Sequence, residues 1–173
     1  TAVKYYELAK IKLTEIGDQN ALCELYCDLG WFYVLNENWA LAERFNNVSQ
    51  EIANKYLLGR EISENLHIMY HLEMEKGNLE MASKYVHQAY DVAKRYLNVY
   101  MILDCLMHIA QEAYRNKEYD KVPGIIKEMD ELVKRGCGII VFNGRTINVL
   151  GDCLYEMGDF TESLEKWGQG FTI

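Results

Sequence analysis

Proline is almost absent, one residue in a chain of 173. Internal proline removes a helix hydrogen bond and clashes with the preceding turn, so its scarcity permits long uninterrupted helices. Basic clusters are missing too: the net charge is −8, with Lys and Arg scattered among the acids. A nucleic-acid binder needs a basic stripe to displace counterions from phosphates, and acidic membrane surfaces are disfavoured on the same ground. No run of about 18 apolar residues exists, so no membrane-spanning helix is expected. Thr1 leads directly into a helical pattern with no signal peptide before it, and a cytoplasmic protein is the expectation. The five cysteines, Cys23, Cys27, Cys105, Cys137 and Cys153, form no compact framework and read as reduced, buried, small hydrophobes.

What is present is a core-forming composition, half hydrophobic and a quarter charged, with 13 tyrosines. Above all there is a repeat. Leu35 to Ala42, Lys76 to Ala82, Asn116 to Val122 and Met157 to Ser163 each run from a polar turn through a bulky apolar residue to a small or modest one. The closing residues Ala42, Ala82, Val122 and Ser163 stand 40, 40 and 41 apart. Between the turns, apolar residues recur at three- and four-residue spacing, the helical period. Short polar turns force antiparallel neighbours.

The pattern predicts helices near 2–17, 21–36, 39–56, 60–76, 79–96, 99–116, 119–135, 139–157 and 160–172. Gly30, Ala42, Ser49, Ala82, Ala89, Ala110, Gly151 and Ser163 are expected where helix backbones meet. One segment competes with this phase: β-branched residues flank Asn143-Gly144, a hairpin signal. Repeat phase favours a helix there, because an isolated hairpin has nothing to pair with.

Leu29-Gly30-Trp31-Phe32-Tyr33 followed by Ala42 resembles the tetratricopeptide repeat. So do Leu150-Gly151 with Gly158-Asp159-Phe160 and Ser163, and Gly77-Asn78-Leu79 with Ala82 and Ala89. The copy with Ala110, Tyr119 and Val122 is the most degenerate. The resemblance covers essentially the whole chain. It implies an all-α, right-handed solenoid of antiparallel helix pairs, about four and a half repeats in one domain over 1–173. The repeats would lie near 1–18 (partial), 20–57, 60–97, 99–136 and 138–173. The period near 40 is similar to the longer repeats of kinesin light chains, bacterial signal-transduction ATPases and transcriptional activators, and peptide-sensing quorum regulators.

In that family the first helix of each pair lines a concave ligand surface. Carried onto this chain, the offsets give Glu24, Cys27, Trp31 and Val34, then Glu64, His67, His71 and Met74. The next two copies give Asp104, Met107, Gln111 and Tyr114, then Arg145, Asn148, Asp152 and Tyr155. Aromatic, methionine and amide groups with acids at one rim suit a peptide or helix with apolar anchors and basic character. At the places where some relatives clamp chaperone tails stand Cys27, Trp31, His67 and His71, which disfavours that role.

Catalysis finds no support. No Ser/His/Asp order, zincin pattern or paired-carboxylate motif appears, and Gly136-Cys137-Gly138 reads as a helix cap rather than a phosphate cradle. Glu24, Glu64 and Asp104 recur 40 apart, which makes them a repeated surface feature. Cys23/Cys27 and His67/His71 are i, i+4 pairs that could in principle bind zinc, but repeat phase staggers them by a turn. Asn47-Val48-Ser49 is a glycosylation sequon inside a predicted helix, and reads as chance.

The expectation is therefore a non-catalytic protein- or peptide-binding scaffold or sensor, part of a larger regulatory protein, needing no metal or cofactor. The alternative is a receptor for a short signalling peptide or small ligand in a transcriptional regulator. Terminal repeats without polar caps add an expectation of self-association through the ends.

Overall fold

The computed structural model describes residues 2–134 and 144–170, with side chains over 4–134 and 148–168. Among the described residues every regular element is helical. The order is α1 (Ala2–Ile16), α2 (Gln19–Leu35), α3 (Trp39–Tyr56), α4 (Gly59–Glu75), α5 (Leu79–Tyr96), α6 (Val99–Arg115), a 3-10 turn (Tyr119–Lys121), α7 (Val122–Lys134), α8 (Gly144–Glu156) and α9 (Phe160–Gly170). The hairpin-or-helix choice at Ile139–Asn143 and the proposed cap at Gly136–Gly138 lie outside the described residues, as does Cys137.

Two compact units divide the chain, Thr1–Asn98 and Val99–Ile173. In the first, α2 packs on α3, α3 on α4 and α4 on α5, and α2 also lies against α4; α1 packs on α2. The second has the same plan: α6 on α7, α7 on α8, α8 on α9, and α6 against α8. Each unit therefore stacks adjacent antiparallel pairs, with the first helices of successive pairs side by side.

Turn chemistry explains the repetition. Glu37, Gly77, Lys117 and Gly158 all have positive φ, at 55°, 72°, 61° and 87°. At each, two backbone bonds close a Schellman motif: Glu37 N to Val34 O and Asn38 N to Tyr33 O, Gly77 N to Met74 O and Asn78 N to Glu73 O, Lys117 N to Tyr114 O and Glu118 N to Ala113 O, Gly158 N to Tyr155 O and Asp159 N to Leu154 O. These turns satisfy carbonyls that a helix end leaves orphaned. Where the next helix begins, the side chains of Asn38 and Asp159 accept from Leu41 N and Glu162 N. Between pairs, Gly17, Leu57 and Leu97 supply a second left-handed set, again 40 apart.

The small residues lie where repeat phase expects them. Ala42, Ser49, Ala82, Ala89, Ala110 and Ser163 are buried, and so are Gly30 and Gly151. A Cβ at Gly30 would stand 3.0 Å from Ile68 Cδ1, and one at Gly151 would stand 2.5 Å from the Trp167 ring. Ser163 donates its hydroxyl to Gly151 O at 2.8 Å, locking α9 onto α8. The start of the seventh helix departs from expectation. Pro123 lacks an N–H, so the carbonyl of Tyr119 loses its usual donor, and residues 119–121 tighten into 3-10 geometry with Lys121 N bonding Glu118 O.

Candidate functional site

In the first unit, the expected ligand-facing residues sit on the neighbouring helices α2 and α4. Trp31 is half-buried and meets His67 and His71 at ring-centroid distances of 5.1 and 5.4 Å, edge-on to His71. His67 and His71 are 4.9 Å apart, and Tyr70 adds a further ring 5.0 Å from His71. The Trp31 indole also packs on the core formed by Cys27, Val34, Ala42, Ile68 and Leu72. It is thus partly core and partly surface. Burial pushes the His71 imidazole down to about 4, so it stands neutral at neutral pH and can both donate and accept a hydrogen bond.

Not all of the expected row is accessible. Cys27 and His67 are fully buried, whereas Glu24 is exposed and Trp31, Glu64, His71 and Met74 are half-buried; Val34 is buried. The buried thiols of α2 serve packing. The Cys23 thiol donates to Ser49 O on α3, while the Cys27 thiol donates to Glu64 on α4, so the cysteine pair addresses two different helices. Both thiols are pushed up, first of all by burial, which makes them poor nucleophiles. Cys23, Cys27, Cys105 and Cys153 are free and buried.

One end of this wall is acidic. Arg60 Nε donates to Glu64 at 3.0 Å and its guanidinium lies 3.7 Å from Glu24, so a carboxylate from each of two helices shares one cation. Burial and the neighbouring charges of Glu24 and Glu64 raise the Asp28 carboxyl above its ordinary value. Burial is the larger cause, and the two neighbouring carboxylates add to it. Asp28 and Arg60 are missing from the expected row, which passes from Glu24 to Cys27 on α2 and opens at Glu64 on α4. The i, i+4 acid pair Glu24/Asp28 is the signal in the sequence that points to them.

In the second unit, α6 and α8 carry the corresponding residues. Asp104, Met107, Gln111 and Tyr114 are half-buried, as are Asn148 and Asp152, and Tyr155 is exposed. The side chain of Arg145 lies outside the described residues. Burial raises the Asp104 carboxyl to about 6. Tyr114 packs on a core of Ala110, Ala113, Val122, Leu150, Cys153 and Leu154, and its ring lies tilted 5.5 Å from that of Tyr119. Asp152 accepts from Trp167 Nε1 at 2.9 Å, which ties it to α9. Tyr155 sits between Phe160 and Trp167 at 5.2 and 5.8 Å.

The four positions related by the repeat, Trp31, His71, Gln111 and Asp152, share one degree of exposure: all are half-buried. Among the described residues no helix is long and apolar enough to cross a membrane. No protein-family model matches this chain, and no curated protein matches it.

Proposed function

We propose that the chain is a non-catalytic, cytoplasmic binding module of a larger regulatory protein, built as a tetratricopeptide-like solenoid. Its ligand is a peptide segment pairing an apolar or aromatic anchor with a basic residue. The observation that carries this reading is the juxtaposition on α2 and α4. The half-buried Trp31–His71 pair, still reachable, stands one helical turn from Asp28 and two from Glu24 and Glu64. An anchor stacking on Trp31 would lose water on both faces, and a lysine or arginine beside it would relieve the acidic field. Neutral His71 adds no charge repulsion against that cation.

A random-peptide phage library selected on the chain tests this. The wild type should enrich sequences with Lys or Arg beside an aromatic or aliphatic residue. Trp31→Ala should cost about 2 kcal/mol or more of affinity with helicity retained. Glu24→Lys, at an exposed position that cannot unfold the core, should weaken binding and reduce its salt dependence. Enrichment identical for wild type, Trp31→Ala and Glu24→Lys would overturn the assignment.

A further inference from the structure

Along the second helices of the pairs an exposed acid recurs at intervals of 40 residues: Glu51 on α3, Asp91 on α5 and Glu131 on α7. At the equivalent place on α1 stands Ile11, and it is exposed (52%), as is Leu8 (50%) one turn earlier. The substitution of an acid by isoleucine at a wet position removes what keeps this face in water on the other three helices. The opposite side of α1 is the packed one, with Tyr6, Ala9 and Leu13 half-buried. At 3.6 residues per turn, Lys4, Leu8, Ile11 and Glu15 point away from that side.

The charges around Leu8 and Ile11 are self-complementary. If two α1 helices lie antiparallel about a twofold axis between Ala9 and Lys10, Leu8 faces Ile11, Lys4 faces Glu15 and Glu7 faces Lys12, each contact occurring twice. A parallel pairing would set like charge on like. Lys12 and Lys10 bond Glu15 and Glu7 within the helix, at 2.7 and 3.4 Å, but these ion pairs are exposed and cost little to exchange. α3 packs against both α2 and α4, and there Arg44, Glu51 and Lys55, the counterparts of Lys4, Ile11 and Glu15, remain exposed, while Val48, the counterpart of Leu8, is half-buried.

We infer that two copies of this chain associate through the outer faces of their α1 helices, antiparallel, with Leu8 and Ile11 at the centre and Lys4–Glu15 and Glu7–Lys12 pairs flanking them. The contact is isologous, as closed dimers require. A single helix pair is a small interface, so the association is weak and is strengthened by low salt. It does not rest on the peptide-binding reading, which concerns α2 and α4.

Sedimentation equilibrium on the 173-residue chain, to about 1 mM, is the test. The wild type should show a concentration-dependent dimer. Ile11→Glu introduces the type of residue that the other repeats carry there, so it should leave the circular dichroism unchanged and the protein monomeric throughout. Lys4→Glu and Glu15→Lys should each weaken the dimer about tenfold, since each sets like charges opposite one another. Mixing these two variants should restore it as a heterodimer, because the two reversed charges then face each other across the twofold axis. A wild type monomeric at every concentration would overturn the proposal. So would a dimer indifferent to Ile11→Glu, or a mixture no tighter than its components, either of which would assign association to another surface.

Discussion

Asn46 and Asn65 are fully buried, and neither amide has a hydrogen-bond partner among the described residues. A buried polar group left unsatisfied costs about 1–3 kcal/mol. The repeat supplies the remedy, because Val86 stands where Asn46 does and Cys105 where Asn65 does. Asn46→Val should raise stability by about 1–3 kcal/mol in urea titration. An unchanged or lowered midpoint would mean that the amide is satisfied, by bound water for example. His71 supplies a pH-dependent term. Its folded value of about 4 lies below the ordinary value near 6.5, so between the two the unfolded chain holds a proton that the folded chain does not. The stability of the neutral, half-buried ring is complete above about 6.5 and falls on acidification by up to about 1.4 kcal/mol per pH unit until about pH 4. Asp104, raised to about 6, acts with the opposite sign over its own window, so total stability is a poor readout. The difference between wild type and His71→Gln is the useful one, and it should shrink as pH falls from 6.5 to 4. A constant difference would show that the ring titrates normally.

The helices are legible at element scale because each carries its own period and its own stop signal. Expected and observed boundaries for the first six helices agree within about two residues, as local signals allow. The 3-10 opening at Tyr119–Lys121 lies outside the expected pattern, although Pro123 is the signal for it. Less legible is the inter-pair turn, where leucine rather than glycine occupies the left-handed position at Leu57 and Leu97. Both side chains are largely exposed, at 74% and 79%, so packing offsets little of the steric cost of that conformation. Leu57→Gly or Leu97→Gly should therefore stabilise by about 0.5–1 kcal/mol, the relief in αL exceeding glycine's entropic penalty. A lower melting temperature in both would refute this. The opposite outcome is expected inside a pair. Ala82 is buried at the contact of α5 with α4, and Ala82→Leu should destabilise by about 1–3 kcal/mol through overpacking. Equal melting temperatures for Ala82→Leu and wild type would break the repeat register.

At the scale of the molecule, both units repeat one packing plan, in which each helix contacts its neighbours in the stack. When stability is a sum of nearest-neighbour terms, a part holding complete pairs can fold alone. The fragment Thr1–Asn98, with its two full pairs, should show helical circular dichroism and a cooperative thermal transition. A coil-like spectrum would count against nearest-neighbour energetics. Order along the chain, helix ends and the burial of the small residues are all readable from periodicity, because a 40-residue repeat imposes the same local physics at each copy. Which residues of the expected ligand row face water is another matter. Cys27 and His67 follow the same offsets as Glu24 and His71, yet they are buried, because the neighbouring helix closes over one turn of α2 and α4 and leaves the next open. The sharing of Arg60 between Glu24 and Glu64, and the burial that raises the Asp28 carboxyl, likewise depend on how closely two helices approach. Periodicity reports the angle at which a side chain leaves its own helix. How near the next helix comes is set by side chains far away in the sequence, and that distance decides what is core and what is surface.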